Sequence, residues 1–336
     1  FDVLGSRYSI IVGRESWTAI VSGLPEHIAT SAKLVLTMLR GAAFPEDQTE
    51  VAKVLAMQAL ISMQDSPGSL LRRAMMAQAY GQPLGRHALA TPESLAKQTR
   101  AQLAKRWSQV MNAPTLEISA AGPIHVDSLT AVLNDTLQGI QCQHQRISHK
   151  ATFTPTHTHI DKEIAQTHIG LSFPGMPRKD PHAIAEDLSM SILSGGMSAR
   201  LFTEVREKLG LVYSVGAWNE RPRDCGMIHV TAATTPERCE KTFEVLKREL
   251  SRMKDDVTQT ELDLAKTRAI SEYATSVASV QSRAGELLSD YFHRDTALTV
   301  DEHIAEIESV TLADVKAYLG RQKLDELSIV TLGTTN

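Results

Sequence analysis

One unit of this chain is written twice, and that repetition limits its fold more than any other feature. Pro25-Glu26 leads over 25 residues to Glu50, and Pro236-Glu237 leads over 25 residues to Glu261. Thr99 to Gly122 spans 23 residues and Thr311 to Gly333 spans 22, so the two stretches run in register at offsets of 211 and 212. Gly5-Ser-Arg-Tyr8-Ser9-Ile10 returns as Gly210-Leu-Val-Tyr213-Ser214-Val215 at an offset of 205, with the difference assigned to a longer loop at 217–225. Self-similarity over this distance means two copies of one supersecondary unit. The second copy carries about 50 residues (160–209) ahead of its Gly-x-x-Tyr-Ser; the first carries four. The repeat therefore implies a first copy that lacks a strand, a helix and a Gly-rich turn at its start.

Within each copy, β-rich pairs alternate with long helical patterns. Tyr8–Val12 and Trp17–Val21 read as strands around the turn chemistry of Gly13–Ser16. Ile28, Ala32, Val35, Leu36 and Leu39 recur at helical spacing and stop at Gly41, and further helices follow Pro45, Pro67 and Pro92. Leu116–Ala120 reads as a strand, and the polar, aperiodic residues 141–160 as an exposed linker. Beyond it come a strand at Thr167–Phe173, helices at 181–193 and 198–208, strands at 211–215 and 227–233, helices at 236–253, 258–290 and 311–319, and a last strand at 327–332. The expected class is α+β, two homologous αβ sandwich or roll domains in which helix pairs pack an antiparallel sheet: residues 1–140, a linker 141–160, and residues 161–336. Composition agrees with a globular protein: 42% hydrophobic and 22% charged residues. A net charge of −4 leaves no basic footprint for nucleic acid. No apolar run approaches the ~20 residues of a membrane span. Cys142, Cys225 and Cys239 cannot close a disulfide set among themselves and include no C-x-x-C pair.

At Ser194-Gly-Gly-Met-Ser-Ala-Arg-Leu-Phe-Thr-Glu-Val-Arg-Glu-Lys-Leu-Gly-Leu-Val-Tyr-Ser-Val215 the chain resembles the second domain of the pitrilysin/insulinase-type zinc metallopeptidases. Asp65-Ser-Pro67, Ala79-Tyr-Gly-Gln-Pro-Leu-Gly85, Thr91-Pro-Glu-Ser-Leu95 and Ser119-Ala-Ala-Gly-Pro123 extend the likeness across nearly the whole chain. In that family the catalytic motif is His-x-x-Glu-His on a first-domain helix, with a Glu further on as third zinc ligand. This sequence contains no His-x-x-Glu-His. The resemblance places the third ligand seven residues after Glu50, where the chain has Met57 followed by Gln58, and no Glu or Asp occurs from Val51 to Gln64. A thioether does not replace a hard oxygen donor on Zn²⁺.

The resemblance thus implies a non-catalytic subunit of a bacterial heterodimeric peptidase, with no metal or other cofactor of its own and zinc in the partner subunit. Such a chain closes the peptidase chamber, binds peptide substrate and contributes an Arg/Tyr pair, here Arg206 and Tyr213. Donors of that kind are useful where a scissile carbonyl gains negative charge. By resemblance its address is periplasmic or exported. Two alternatives remain open: an active zinc endopeptidase whose His-x-x-Glu-His lies in an absent N-terminal segment, and a purely structural core-type subunit.

Plainer readings compete at several residues. Arg206 can pair Glu204 or Glu207 on a wet helix face while Tyr213 packs in the core. Ser194-Gly195-Gly196 lacks the frame of a phosphate loop and reads as a helix-to-helix turn. His157, His159, Glu163 and His168 read as a polar segment rather than a metal cluster. Glu50 and Glu261 read as solvated helix positions, His182 and Glu186 as surface helix, and Cys225 and Cys239 as unpaired thiols.

Overall fold

A computed structural model of the chain describes residues 1–87, 91–112, 115–140 and 148–334. Cys142 and most of the expected linker's polar start (141–147) lie outside the described residues. In chain order the elements are β1 (Arg7–Val12), β2 (Trp17–Ser22), α1 (Ile28–Arg40), α2 (Glu46–Gln64), α3 (Pro67–Tyr80), α4 (Pro92–Ala96), α5 (Arg100–Met111) and α6 (Val126–Thr136). There follow β3 (His157–Asp161), β4 (Thr167–Gly175), α7 (Ala183–Ser194), a π-helix (Leu201–Lys208), β5 (Val212–Glu220) and β6 (Gly226–Thr234). The chain continues through α8 (Cys239–Asp256), α9 (Gln259–Val277), α10 (Val280–Arg294), α11 (Val300–Ser309), α12 (Leu312–Gly320) and β7 (Ser328–Gly333). The α+β class is observed.

The chain forms two compact units: Phe1–Ser62 with Ala88–Ile147 and Ala278–Ser289, and Met63–His87 with Ser148–Val277 and Asp290–Asn336. α3 therefore belongs with the second unit, and most of α10 with the first.

In the first unit β1 and β2 form an antiparallel hairpin. α1 packs on β2 and α6. The Trp107 indole donates to the Leu39 carbonyl at 2.7 Å and meets Trp17 edge-on. Leu116–Ala120 forms no strand, and Leu116 and Ile118 are about half exposed. Among the described residues no strand stands beside it to pair with. Its counterpart in the other copy, β7, is held between β3 and β4, whereas the described sheet of the first unit has only two strands.

The second unit is built on a five-stranded sheet of order β3-β7-β4-β6-β5. All its pairs are antiparallel except β3 with β7. The expected linker thus contains a real edge strand, His157–Asp161. Its side chains are mostly exposed and polar, so hydrophobic alternation could not announce it. Alternate residues of β4 divide the two faces. Ile169, Leu171 and Phe173 enter the main core with α7, α8 and α12, together with Ile228, Val230 and Ala232 of β6. The opposite face receives α3: Leu71 and Met75 pack on Val330 and Leu332, and Tyr80 packs beside Met227. Gly170 lets α3 approach, since a Cβ there would stand 2.4 Å from the Met75 sulfur.

Three further elements depart from the sequence reading. β5 runs through Glu220 rather than stopping near 215. The long helix expected at 258–290 breaks at Ala278-Ser279 into α9 and α10, where the chain passes from one unit to the other. α11 follows, opened by a Thr299/Glu302 capping box.

One aligned pair of glycines behaves alike in the two copies. Gly5 and Gly210, aligned by sequence, both take left-handed backbone, with φ of 57° and 59°. The copies differ in what covers them. Leu262 and Ala265 of α9 are buried in the core that α7 packs against. Their counterparts on α2, Val51 and Val54, are 52% and 57% exposed.

Candidate functional site

The site is built where α7 turns into the π-helix and the chain then enters β5. Ser194 closes α7, and its hydroxyl accepts the backbone N–H of Ala217 on β5 at 2.8 Å. The next two residues must be glycine. A Cβ on Gly195 would fall 2.6 Å from the Arg268 guanidinium, and Gly196 has φ of 145°. Arg268, from α9, donates to the Gly195 carbonyl and reaches the Ser198 hydroxyl at 3.4 Å. The segment is thus a pinned turn between helices.

Arg200 fixes the start of the π-helix. It is 8% exposed, and its guanidinium grips Glu261 through two hydrogen bonds of 2.6 and 2.8 Å. It also donates to the Asp256 carboxylate and, at 3.1 Å, to the Asp256 carbonyl. Glu261 in turn accepts from the Thr258 backbone N–H at 2.9 Å, capping α9. Burial is the largest single influence and works against the charges of Glu261 and Asp256, but the hydrogen bonds and charge of Arg200, joined by Thr258 at Glu261 and by Arg252 at Asp256, together outweigh it, and both carboxyls sit below their ordinary pKa. Glu261 is therefore no solvated helix position; it is the anchor of the Arg200 clamp. Glu50 does stand at a solvated position, where among the described residues it pairs with Lys53 at 3.0 Å.

Beyond that clamp the polypeptide forms a π-helix where an ordinary α-helix is expected, a distortion often found at functional positions. Arg206 projects from it, exposed, with its guanidinium 4.9 Å from the ring centre of Phe202. Gly210 reverses the chain in left-handed backbone, and its carbonyl accepts from Arg238 at 2.7 Å. β5 then opens with a bulge. Val212 stands opposite Thr234 and Ser214 opposite Ala233, so Tyr213 is the extra, unpaired residue. A bulge re-aims a side chain, and Tyr213 is 59% exposed. Its expected alternative, packing in the core, does not hold. Neither the Arg206 guanidinium nor the Tyr213 hydroxyl has a hydrogen-bond partner among the described residues, so the alternative pairing of Arg206 with Glu204 or Glu207 is absent; Glu204 instead takes Lys208 at 2.7 Å. β5 is an edge strand of the sheet.

A buried ionic cluster holds the far end of β5. Glu186 is fully buried on α7 and not on a surface helix as its spacing from His182 suggests. Arg221, just past β5, donates to Glu186 at 2.7 Å, to Asp187 at 2.6 Å and to the carbonyls of Met176 and Ala183 at 3.0 Å. Glu186 also accepts the Met176 N–H at 2.7 Å. Burial raises the Glu186 pKa even though Arg221 opposes that shift. The Tyr318 hydroxyl lies beside Glu186 but completes no hydrogen bond of good geometry.

The side chains at the expected third-ligand position do not fit zinc. Met57 is half-buried on α2 and Gln58 is exposed, and neither offers the charged oxygen or imidazole donor the ion takes. His157, His159, Glu163 and His168 form no metal cluster; among the described residues no three His, Cys, Asp or Glu side chains converge as ligands. His159 instead meets the Thr331 hydroxyl at 2.9 Å. No described helix is long and apolar enough to cross a membrane.

Solved structures share this architecture. A peptidase M16 inactive domain from Pseudomonas fluorescens superposes with a TM-score of 0.85 at 23% identity, covering 100% of this chain and 83% of that one. A chain of Complex III2 from Candida albicans gives 0.80 at 14% identity, covering 98% and 82%. The fold is that of the peptidase M16 inactive domain. The family model described as the peptidase M16 inactive domain matches residues 97–269, more than half of the chain, and the chain belongs to that family. Over 293 residues it is 25% identical to a Rickettsia felis protein named an uncharacterized zinc protease, covering 87% of this chain and 71% of that protein.

The motif pointed to Arg206 and Tyr213 but not to what holds the segments that carry them. Arg200 stands inside the same motif, and Glu261 was marked by the repeat. Nothing in the sequence showed that they meet, because they lie 61 residues apart.

Proposed function

We propose that this chain is the non-catalytic partner of a zinc-bearing peptidase subunit of the same family, and that it binds extended peptide along β5 and presents Arg206 and Tyr213 to it. The observation that carries the reading is the pair of exposed donors, without a hydrogen-bond partner among the described residues, on a π-helix and a β-bulge that are both anchored from behind. An edge strand has a row of free N–H and C=O groups, and an extended peptide satisfies them by adding as another strand. Arg206 and Tyr213 then stand beside the peptide backbone as a cation and a phenolic donor. They are suited to a carbonyl that gains negative charge when water attacks it. Zinc and the activated water belong, in this reading, to the partner.

The test is steady-state cleavage of an unfolded peptide by the reconstituted pair of this chain and a His-x-x-Glu-His subunit from the same source. Arg206→Ala and Tyr213→Phe should each lower kcat/KM by about 10- to 1,000-fold, the range for losing one such donor. The pair should stay assembled in size-exclusion chromatography. Unchanged rates in both variants would remove the role assigned to these residues. That outcome would favour a structural subunit, the reading that the likeness to a Complex III2 chain supports.

A further inference from the structure

A cavity of about 110 Å³ opens in the second unit between the C-terminal half of α8 and the segment that joins α12 to β7. Phe173, Met190, Leu250, Met253 and Leu319 give it apolar walls. A cavity of about 150 Å³ accepts a single benzene ring, so by size this one holds a branched aliphatic group or a small ring, while Ser251, Lys254, Tyr318, Gln322 and Asp325 make the rest of its lining polar. Two lining residues, Tyr318 and Gln322, have a buried polar atom without a hydrogen-bond partner among the described residues; the Tyr318 hydroxyl lies beside Glu186, which leaves Gln322. Gln322 lines the cavity, and its side-chain nitrogen is buried without a hydrogen-bond partner among the described residues. A buried donor without an acceptor is costly and rare, and it marks the place where an acceptor oxygen is missing. The charges at the mouth then set the ligand's own charge. Lys254 and Asp325, both exposed and neither in an ion pair among the described residues, border the cavity with opposite signs. Together they give no net preference for an anion or a cation.

We propose that this cavity is a binding site for a branched aliphatic or small-ring group that carries a neutral carbonyl. The apolar part lies against Leu250, Met253 and Leu319, and the carbonyl oxygen accepts from the Gln322 side-chain nitrogen. Such chemistry comes from two sources, a free small amide or an apolar residue of a peptide presenting its backbone carbonyl. The site uses none of the residues around Arg206 and Tyr213, so it stands or falls separately from them.

The experiment is a ligand-detected NMR titration of the whole chain with isovaleramide and with N-acetyl-leucine N-methylamide. Saturable binding with a Kd of about 1–10 mM is expected for probes this small. Gln322→Leu keeps the shape, removes the donor and should weaken binding roughly 3- to 10-fold. Ser251→Trp, a substitution of an exposed residue at the mouth, should abolish it while the circular dichroism spectrum stays that of the parent. Isovalerate, with the same tail and a full negative charge, should bind more weakly than isovaleramide. Binding by both probes assigns the site to a peptide residue, and binding by isovaleramide alone assigns it to a free small molecule. No saturable signal from either probe, or parental affinity in either variant, overturns the proposal.

Discussion

Replacing one residue in each copy of the repeat separates what the two copies share from what they do not. Leu262 on α9 and Val51 on α2 occupy equivalent positions 211 residues apart. Leu262 has no exposed surface and belongs to the main core; Val51 is 52% exposed. Leu262→Ala removes fully buried carbon atoms and leaves a cavity, which costs about 3–5 kcal/mol. Val51→Ala removes two carbons that are half in water already, which at about 0.8 kcal/mol per buried CH₂ costs roughly 0.8 kcal/mol. Urea unfolding, with the midpoint shift multiplied by the slope of the transition, reads both values. A difference of about 2–4 kcal/mol between the two variants is expected. Equal costs would show that Val51 is as well packed as Leu262, and would refute the argument that the α2 face is open.

Arg221→Met should destabilise the second unit by about 3–5 kcal/mol, because it leaves Glu186 buried and uncompensated; adding Glu186→Met should recover most of the loss in the same urea assay. The carboxyls of Asp256 and Glu261 have pKa values below their unfolded ones, so their contribution is present above about pH 4 and fades as pH falls through the lowered values. Glu261→Gln should flatten that acid limb of the stability profile, and a profile identical to the parent's would argue against the Arg200 clamp. Gly196→Ala puts a Cβ on backbone at φ of 145° and 3.1 Å from Arg268; it should cost about 1–3 kcal/mol and lower the activity of the reconstituted pair by displacing the π-helix that carries Arg206.

The buried cluster around Arg221 explains how an exposed edge strand keeps its place. Arg221 and Asn219 tie the end of β5 to Asp187, and Ser194 ties its middle to the end of α7. Together with the Arg200 clamp, these contacts fix both elements that carry the donor pair. Arg206 and Tyr213 themselves stay exposed.

The sequence alone determined the class and most of the helices, and its motif directed attention to Arg206 and Tyr213. These are local or periodic properties: helical spacing in α1, a capping Thr at α5 and α12, a glycine that must take left-handed backbone at 5 and again at 210. Only the tertiary structure decided the rest. β3 became a strand because β7 offered it an edge, and Leu116–Ala120 did not because, among the described residues, no strand stood beside it. α3 joined the second unit because Gly170 left room for Met75. Glu186 and Glu261 look like ordinary helix-surface carboxylates in one dimension. Each is engaged because an arginine from another element reaches it. Pairings of that kind depend on residues tens of positions apart coming within 3 Å, which no local pattern encodes.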